Sequence, residues 1–353
     1  MKKNSRIWVL SAAASLLLAA CGGGGDGDQS AKLKYSALVS FGDSLSDVGT
    51  YAVSAVAQAG GGKYNVNGAN GKNWTELLAT QIAVAAPCAA QTGLASVIPN
   101  IPAVASSNHA GCTGYAQGGA RVTNPVGPGN INTYPADPGG ALGQLTDPVV
   151  NQINRHLTAV GGSFKGDELV TVLAGGNDVF MNLGAVSAQL QTPTQAVTAM
   201  GVAGAELAAY VKNLIVAKGA KYVVVVNLPD VSKTPFAYTL DAPTQGLIQT
   251  MSTTFNAQLA AGLSGVEVLQ VDAYTQSLDQ AAKPAQYGIS NGTNPACDLA
   301  KTIFASSLVC TEATLIAGDV SRYQFADGVH PTPYGYRLLA EFVSSKMIAK
   351  GWL

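Results

Sequence analysis

Charge is scarce in this 353-residue chain: 12% of residues are charged against 47% hydrophobic, so disorder as the main state is excluded and a large core is within reach. Three of the 20 basic residues and none of the 21 acidic ones lie in the first 20 positions, leaving the remainder with a net charge near −4. That balance argues against a nucleic-acid binder. No Gly-Lys-[Ser/Thr] phosphate loop occurs, since Gly62-Lys63 precedes Tyr64 and Gly71-Lys72 precedes Asn73. Zinc spacings of the Cys-x-x-Cys or His-Glu-x-x-His kind are also missing, so no metal site is expected. Histidine occurs only three times, at 109, 156 and 330, which makes the search for a catalytic base short.

What is present begins with Lys2, Lys3 and Arg6, followed by 14 largely apolar residues from Ile7 to Ala20. That run fits a secretory signal and is shorter than the roughly 20 residues that span a membrane. Leu18-Ala19-Ala20-Cys21 resembles the bacterial lipobox, which makes Cys21 the expected lipidation site. The Gly-rich stretch that follows, with Asp26 and Asp28, reads as a tether. The expected divisions are a signal peptide over 1–20, a tether over 21–34 and one domain over 35–353. Gly22 after the cysteine resembles lipoproteins sent to the outer membrane of a Gram-negative cell, so export and lipid anchoring there are expected. Four further cysteines in an exported chain imply two disulfides, and the local pairing Cys88–Cys112 and Cys297–Cys310 is preferred among three connectivities.

Continuous apolar runs at 37–41, 169–173, 222–226 and 266–269 suit strands of a parallel sheet covered on both faces. Helices are expected from Ser46 onward, over 147–159, over 194–218 closed by Gly219, over 242–263, and from Thr332-Pro333 to about Lys350. Alternating strand and helix implies one doubly wound α/β domain. Residues 85–140 and 275–325 are rich in Gly, Pro, Ala, Asn and Ser, and read as ordered, disulfide-stapled insertions around a site.

Ser44, in Gly42-Asp43-Ser44-Leu45-Ser46-Asp47, falls where the first strand ends, a place where backbone N–H groups can meet a developing oxyanion. Ser46 is the candidate helix cap. Asp327 and His330, three apart in one turn, can present a carboxylate-held imidazole. His156, beside Arg155 on a helix, reads as a solvated face, and His109 as either a substrate contact or a surface residue. Asp43, Asp47 and Asp178 have two readings, tuning of the site or turn and capping roles.

Four blocks in order, FGDSLSD (41–47), YAQGGA (115–120), GGND (175–178) and DGVHPT (327–332), resemble the SGNH/GDSL family of serine esterases and lipases. The first block looks most like the branch that holds bacterial phospholipase/acyltransferases. The resemblance implies a three-layer α/β/α, flavodoxin-like hydrolase with Ser44 as nucleophile and Asp327 and His330 completing a triad. It implies an oxyanion hole from Ser44, Gly119 and Asn177, with Gly118 as the alternative donor. Neither metal nor organic cofactor is called for, and the expected partner is an ester or lipid substrate. A departure is Gly114 where the second block commonly begins with Asn. The expected function is hydrolysis of aliphatic or lipid esters through an acyl-enzyme, with acyl transfer to an alcohol as a variant and Leu94–Val104 as an apolar wall for the acyl chain. The alternatives are a carbohydrate O-acetylesterase and a non-catalytic surface lipoprotein.

Overall fold

Four apolar runs become strands β1 (Leu38–Gly42), β2 (Leu169–Leu173), β3 (Tyr222–Val226) and β4 (Leu269–Val271), adjacent in that order and all parallel. The computed structural model describes residues 33–353; the expected signal peptide, Cys21 and nearly all of the tether lie outside the described residues. Every residue of β1 and β2 is buried, as strands sandwiched between two helical layers require. Along the outer side of β1 runs the segment 113–117: Ser40 N–H donates to Thr113 O at 3.0 Å, and Tyr115 N–H to Ser40 O at 2.8 Å. Because 113–117 lies between β1 and β2 in the chain, the sheet grows in opposite directions from β1. The crevice between β1 and β2 is therefore the topological switch point, where sites form at the carboxyl ends of such strands.

Alternate residues of each strand face opposite layers. Val39, Phe41, Val170, Val172, Val223 and Val225 pack against α2 (Val149–Ala159), α4 (Pro193–Tyr210) and α5 (Ala242–Gly262). Leu38, Leu169, Leu173, Val224 and Val226 pack against α1 (Trp74–Gln81) and α7 (Pro333–Ala349). The result is the expected α/β/α sandwich. Two further helices, α3 (Gly176–Ser187) and α6 (Ala273–Ala282), leave the ends of β2 and β4.

Local capping chemistry sets the helix ends. α4 starts with a capping box of Thr192 and Gln195 with Pro193 first, and its last turns end before Gly219 at φ +102°. Thr332 caps α7 by accepting from Gly335 N–H at 3.1 Å. Elsewhere the reading needs correction. No helix starts at Ser46, because the Asp47 carboxylate turns back to accept Gly49 and Thr50 N–H groups at 2.9 and 2.8 Å and closes a turn. The last strand is Leu269–Val271 rather than 266–269: Gly265 at φ +71° ends the preceding turn, and Val266 and Val268 pack partly buried against the core before pairing begins. Within the second insertion, residues 275–282 belong to α6. The disulfides pair Cys88 with Cys112 and Cys297 with Cys310, the preferred connectivity.

His156 is not on a solvated face. It is 2% exposed, its ring lies 4.6 Å from that of Phe164 and 5.2 Å from that of Tyr115, and neither ring nitrogen has a partner among the described residues. Burial lowers its pKa from 6.5 to about 4, with the Glu168 charge opposing. Between those pH values the unfolded chain takes up a proton that the folded one refuses. The stability contributed by the neutral ring is therefore whole above 6.5 and is lost as pH falls through about 4. The full loss is of order 3 kcal/mol. His156→Phe is expected to move the acid-unfolding midpoint to lower pH, measured by circular dichroism; an unchanged midpoint would remove this ring as a cause of acid lability.

Candidate active site

β1 ends at Gly42 with φ +148°, and a Cβ there would stand 2.0 Å from Leu173 O, so only glycine lets the ends of β1 and β2 touch. Gln152 of α2 clamps this residue, donating to Gly42 O at 2.8 Å and accepting from Gly42 N–H at 2.9 Å. Ser44 follows on a turn. Ser46 is not a cap: its buried hydroxyl accepts from Trp74 Nε1 at 3.1 Å and so ties the turn to α1. The functional turn is thus held by contacts distant in sequence instead of by a helix of its own.

The structure brings the three expected residues together. His330 Nε2 lies 2.8 Å from Ser44 Oγ, and His330 Nδ1 lies 2.9 and 2.8 Å from the two Asp327 oxygens. Burial opposes the Asp327 charge, yet the His330 charge and hydrogen bonds from His330, Ser307 and Val329 outweigh it and hold the carboxyl below its usual range. Ser307 N–H reaches Asp327 Oδ2 at 2.9 Å from the stapled segment that ends at Cys310. Asn67 Nδ2 holds that segment through Ser307 O at 3.1 Å and Cys310 O at 3.0 Å. Tyr64, which the sequence did not single out, stacks its ring 4.5 Å from that of His330 and limits the base to one orientation.

For the oxyanion, two of the expected donors are backbone groups. Ser44 N–H and Gly119 N–H have no acceptor among the described residues. Gly118 N–H is already committed to Asp47 Oδ2 at 2.8 Å, which separates the two glycines. Both must be glycine, since a Cβ at 118 would meet the Tyr64 ring at 2.3 Å and one at 119, where φ is +77°, would meet Pro128 O at 2.4 Å. Asn177, in the first turn of α3 beyond β2, gives one amide hydrogen to Ala120 O at 2.8 Å and keeps the second. Gly114 also has a reason: a Cβ there would stand 2.9 Å from Cys88 O and 2.5 Å from Val48 Cγ2.

Acidic residues around the site do more than cap turns. Burial pushes Asp43 up to about 7, against the pull of Leu45 N–H and the His330 charge. Burial likewise raises Asp178, although it accepts from Arg121 Nε at 2.8 Å and Val122 N–H at 3.0 Å and thereby joins the second block to the third. His109 sits elsewhere, exposed and 2.8 Å from Thr92 Oγ1.

Ser44, Gly119, Asn177 and His330 open into one cavity of about 650 Å³. Its apolar wall is not the Leu94–Val104 stretch as a whole: Leu94 is buried in a side cluster and Ile98 alone of that stretch lines the cavity, joined by Leu142 just past the first insertion and by Ile303 and Phe304 of the second.

A doubly wound sheet with a serine, histidine and aspartate in register at its switch point, facing spare N–H donors, defines a serine-nucleophile site of the acyl-transfer type. Residues 38–343 match the GDSL-like lipase/acylhydrolase model, and the chain belongs to that family. Esterase EstA of Pseudomonas aeruginosa and Esterase EstA of Pseudomonas putida are each 29% identical to it over 342 residues, 91% of this chain and 48% of theirs. A GDSL esterase/lipase of Arabidopsis thaliana, At2g40250, is 30% identical over 94 residues, 26% of each chain. The chain spans about half the length of the Pseudomonas relatives it matches.

Proposed function

We propose that the chain hydrolyses carboxylic esters with aliphatic acyl groups through an acyl-enzyme on Ser44. The observation that carries this reading is the unbroken relay Ser44 Oγ, His330 Nε2, His330 Nδ1, Asp327 at 2.8 to 2.9 Å inside an open cavity. His330 takes the Ser44 proton as Oγ attacks the ester carbonyl, and Asp327 steadies the imidazolium. The carbonyl oxygen, now an anion, meets Ser44 N–H, Gly119 N–H and the free Asn177 amide hydrogen. His330 then protonates the departing alcohol, and water, activated by the same nitrogen, releases the acid. A second alcohol in place of that water makes the same intermediate an acyl donor.

Ile303, 56% exposed, and Phe304 beside it in the cavity wall favour a fatty acyl chain over acetate. Hydrolysis of p-nitrophenyl esters from two to sixteen carbons is expected to peak beyond acetate. A maximum at acetate would move the assignment to the O-acetylesterase reading, and absence of turnover with no labelling by a fluorophosphonate would favour a binding lipoprotein. The small residues before Cys21 and the Gly-rich stretch after it support a lipid anchor at that cysteine, with the outer membrane as the site of residence. Membrane fractions should retain the full chain and release Cys21→Ser; equal retention would exclude this anchor.

A further inference from the structure

Tyr51 stands seven positions after the nucleophile and is fully buried, its ring packed in a cluster with Leu94, Leu142 and Val309. Its hydroxyl donates to Gly118 O at 2.7 Å across a separation of 67 residues, and itself accepts from Thr146 N–H at 3.3 Å. We infer that Tyr51 is a positioning residue for the oxyanion hole: by fixing the Gly118 carbonyl it aims the Gly119 N–H at the reacting centre.

The link is peptide geometry. The Gly118–Gly119 bond is trans, so the Gly118 carbonyl and the Gly119 N–H share one plane and point in opposite directions. Holding the oxygen from the protein side turns the hydrogen toward the cavity that Gly119 lines. Without side chains, the two glycines have wide backbone freedom, and a loop of this kind needs external restraint to keep a donor preorganised. Asp47 supplies the other half, accepting Gly118 N–H at 2.8 Å while its second oxygen closes the turn at Gly49 and Thr50. Both ends of Gly118 are thus held by the short stretch 47–51 that continues from Ser44, so nucleophile and donor share a single rigid element.

This inference rests on the ester-hydrolase reading, since it gives the Gly119 N–H an oxyanion to bind. Tyr51→Phe keeps the ring and deletes the hydroxyl. The measurement is kcat and KM on a p-nitrophenyl ester of the preferred length, with the affinity for an alkylboronic acid, whose tetrahedral adduct on Ser44 puts an oxygen in the hole. A fatty amide of the same length serves as the ground-state ligand. The expected result is a fall of about tenfold in both kcat and boronate affinity, with KM and amide affinity within twofold of wild type. A purely structural role would lower the unfolding temperature without making kcat and boronate affinity fall together. Boronate affinity within twofold of wild type overturns the proposal, whatever the stability.

Asp47→Asn, which turns an amide hydrogen toward Gly118 N–H, is expected to give the same paired loss, and it decides the matter by the same criterion where Tyr51→Phe does not fold. A wild-type chain that hydrolyses no ester and takes neither boronate nor fluorophosphonate overturns the ester-hydrolase reading and this inference together. Normal wild-type activity with an unaffected Tyr51 variant overturns this inference alone.

Discussion

Ser44→Ala is expected to lower kcat by about 10⁴ to 10⁶-fold while leaving the protein folded. Among the described residues the Ser44 hydroxyl is the nucleophile that lies 2.8 Å from His330 Nε2, and alanine leaves the imidazole with water to deprotonate in its place. Among the described residues its hydroxyl makes one hydrogen bond, to His330, so the unfolding temperature should stay close to that of wild type. Fluorophosphonate labelling should vanish in parallel. Residual turnover above about a hundredth of wild type would mean that another nucleophile carries the reaction, and the assignment of Ser44 would be lost.

Asn177→Ala is expected to reduce kcat by about 10² to 10³-fold with a much smaller change in KM, the size measured for one lost oxyanion donor. One of its amide hydrogens is tied to Ala120 O, which prevents the side chain from rotating away and leaves the other free. Because that free hydrogen meets charge only after attack, its loss weighs on the transition state and barely on substrate binding. A kcat within a factor of two of wild type would remove Asn177 from the hole. The two variants also separate stages of the reaction: the first should abolish acylation, whereas the second should still accept a fluorophosphonate slowly.

Much of this arrangement was legible in the sequence where the signals are local. Through the resemblance the four blocks give the triad and all three expected oxyanion donors, and Gly219 and the Thr332-Pro333 start mark the end of the α4 segment and the beginning of α7 because such signals act within one turn. The burial of His156 has a periodic signal as well: it falls on the same stripe of α2 as Val149, Ile153 and Leu157, and the charged neighbour Arg155 lies off that stripe. Ser46, Tyr51, Tyr64, Asn67 and Ser307 are a different case. Their respective partners Trp74, Gly118, His330, Cys310 and Asp327 lie 20 to 266 positions away along the chain, and no local pattern marks such pairs. The serine that looks most like a cap instead ties the turn to α1, and the starts of α1, α3 and α6 at Asn73, Gly175 and Asp272 carry no Thr-Pro signal like the one that opens α7.

The segment that carries Ser307 is linked covalently to a residue that touches the turn of Asp327. Cys297 N–H donates to Ala326 O at 3.0 Å, immediately before Asp327, and Cys297 is bonded to Cys310, three residues after the Ser307 donor. The covalent bridge thus spans the carboxylate and the N–H that steadies it. The nucleophile turn is held by Gln152, Trp74 and the sheet, and the base by Asp327 and Tyr64, whereas the Ser307 donor to the acid sits behind a bond that forms under oxidising conditions. With both cysteines reduced, the aspartate would keep its hydrogen bonds but lose the staple behind its Ser307 donor, so the bridge ties the steadiness of the acid to the redox state of two side chains outside the triad.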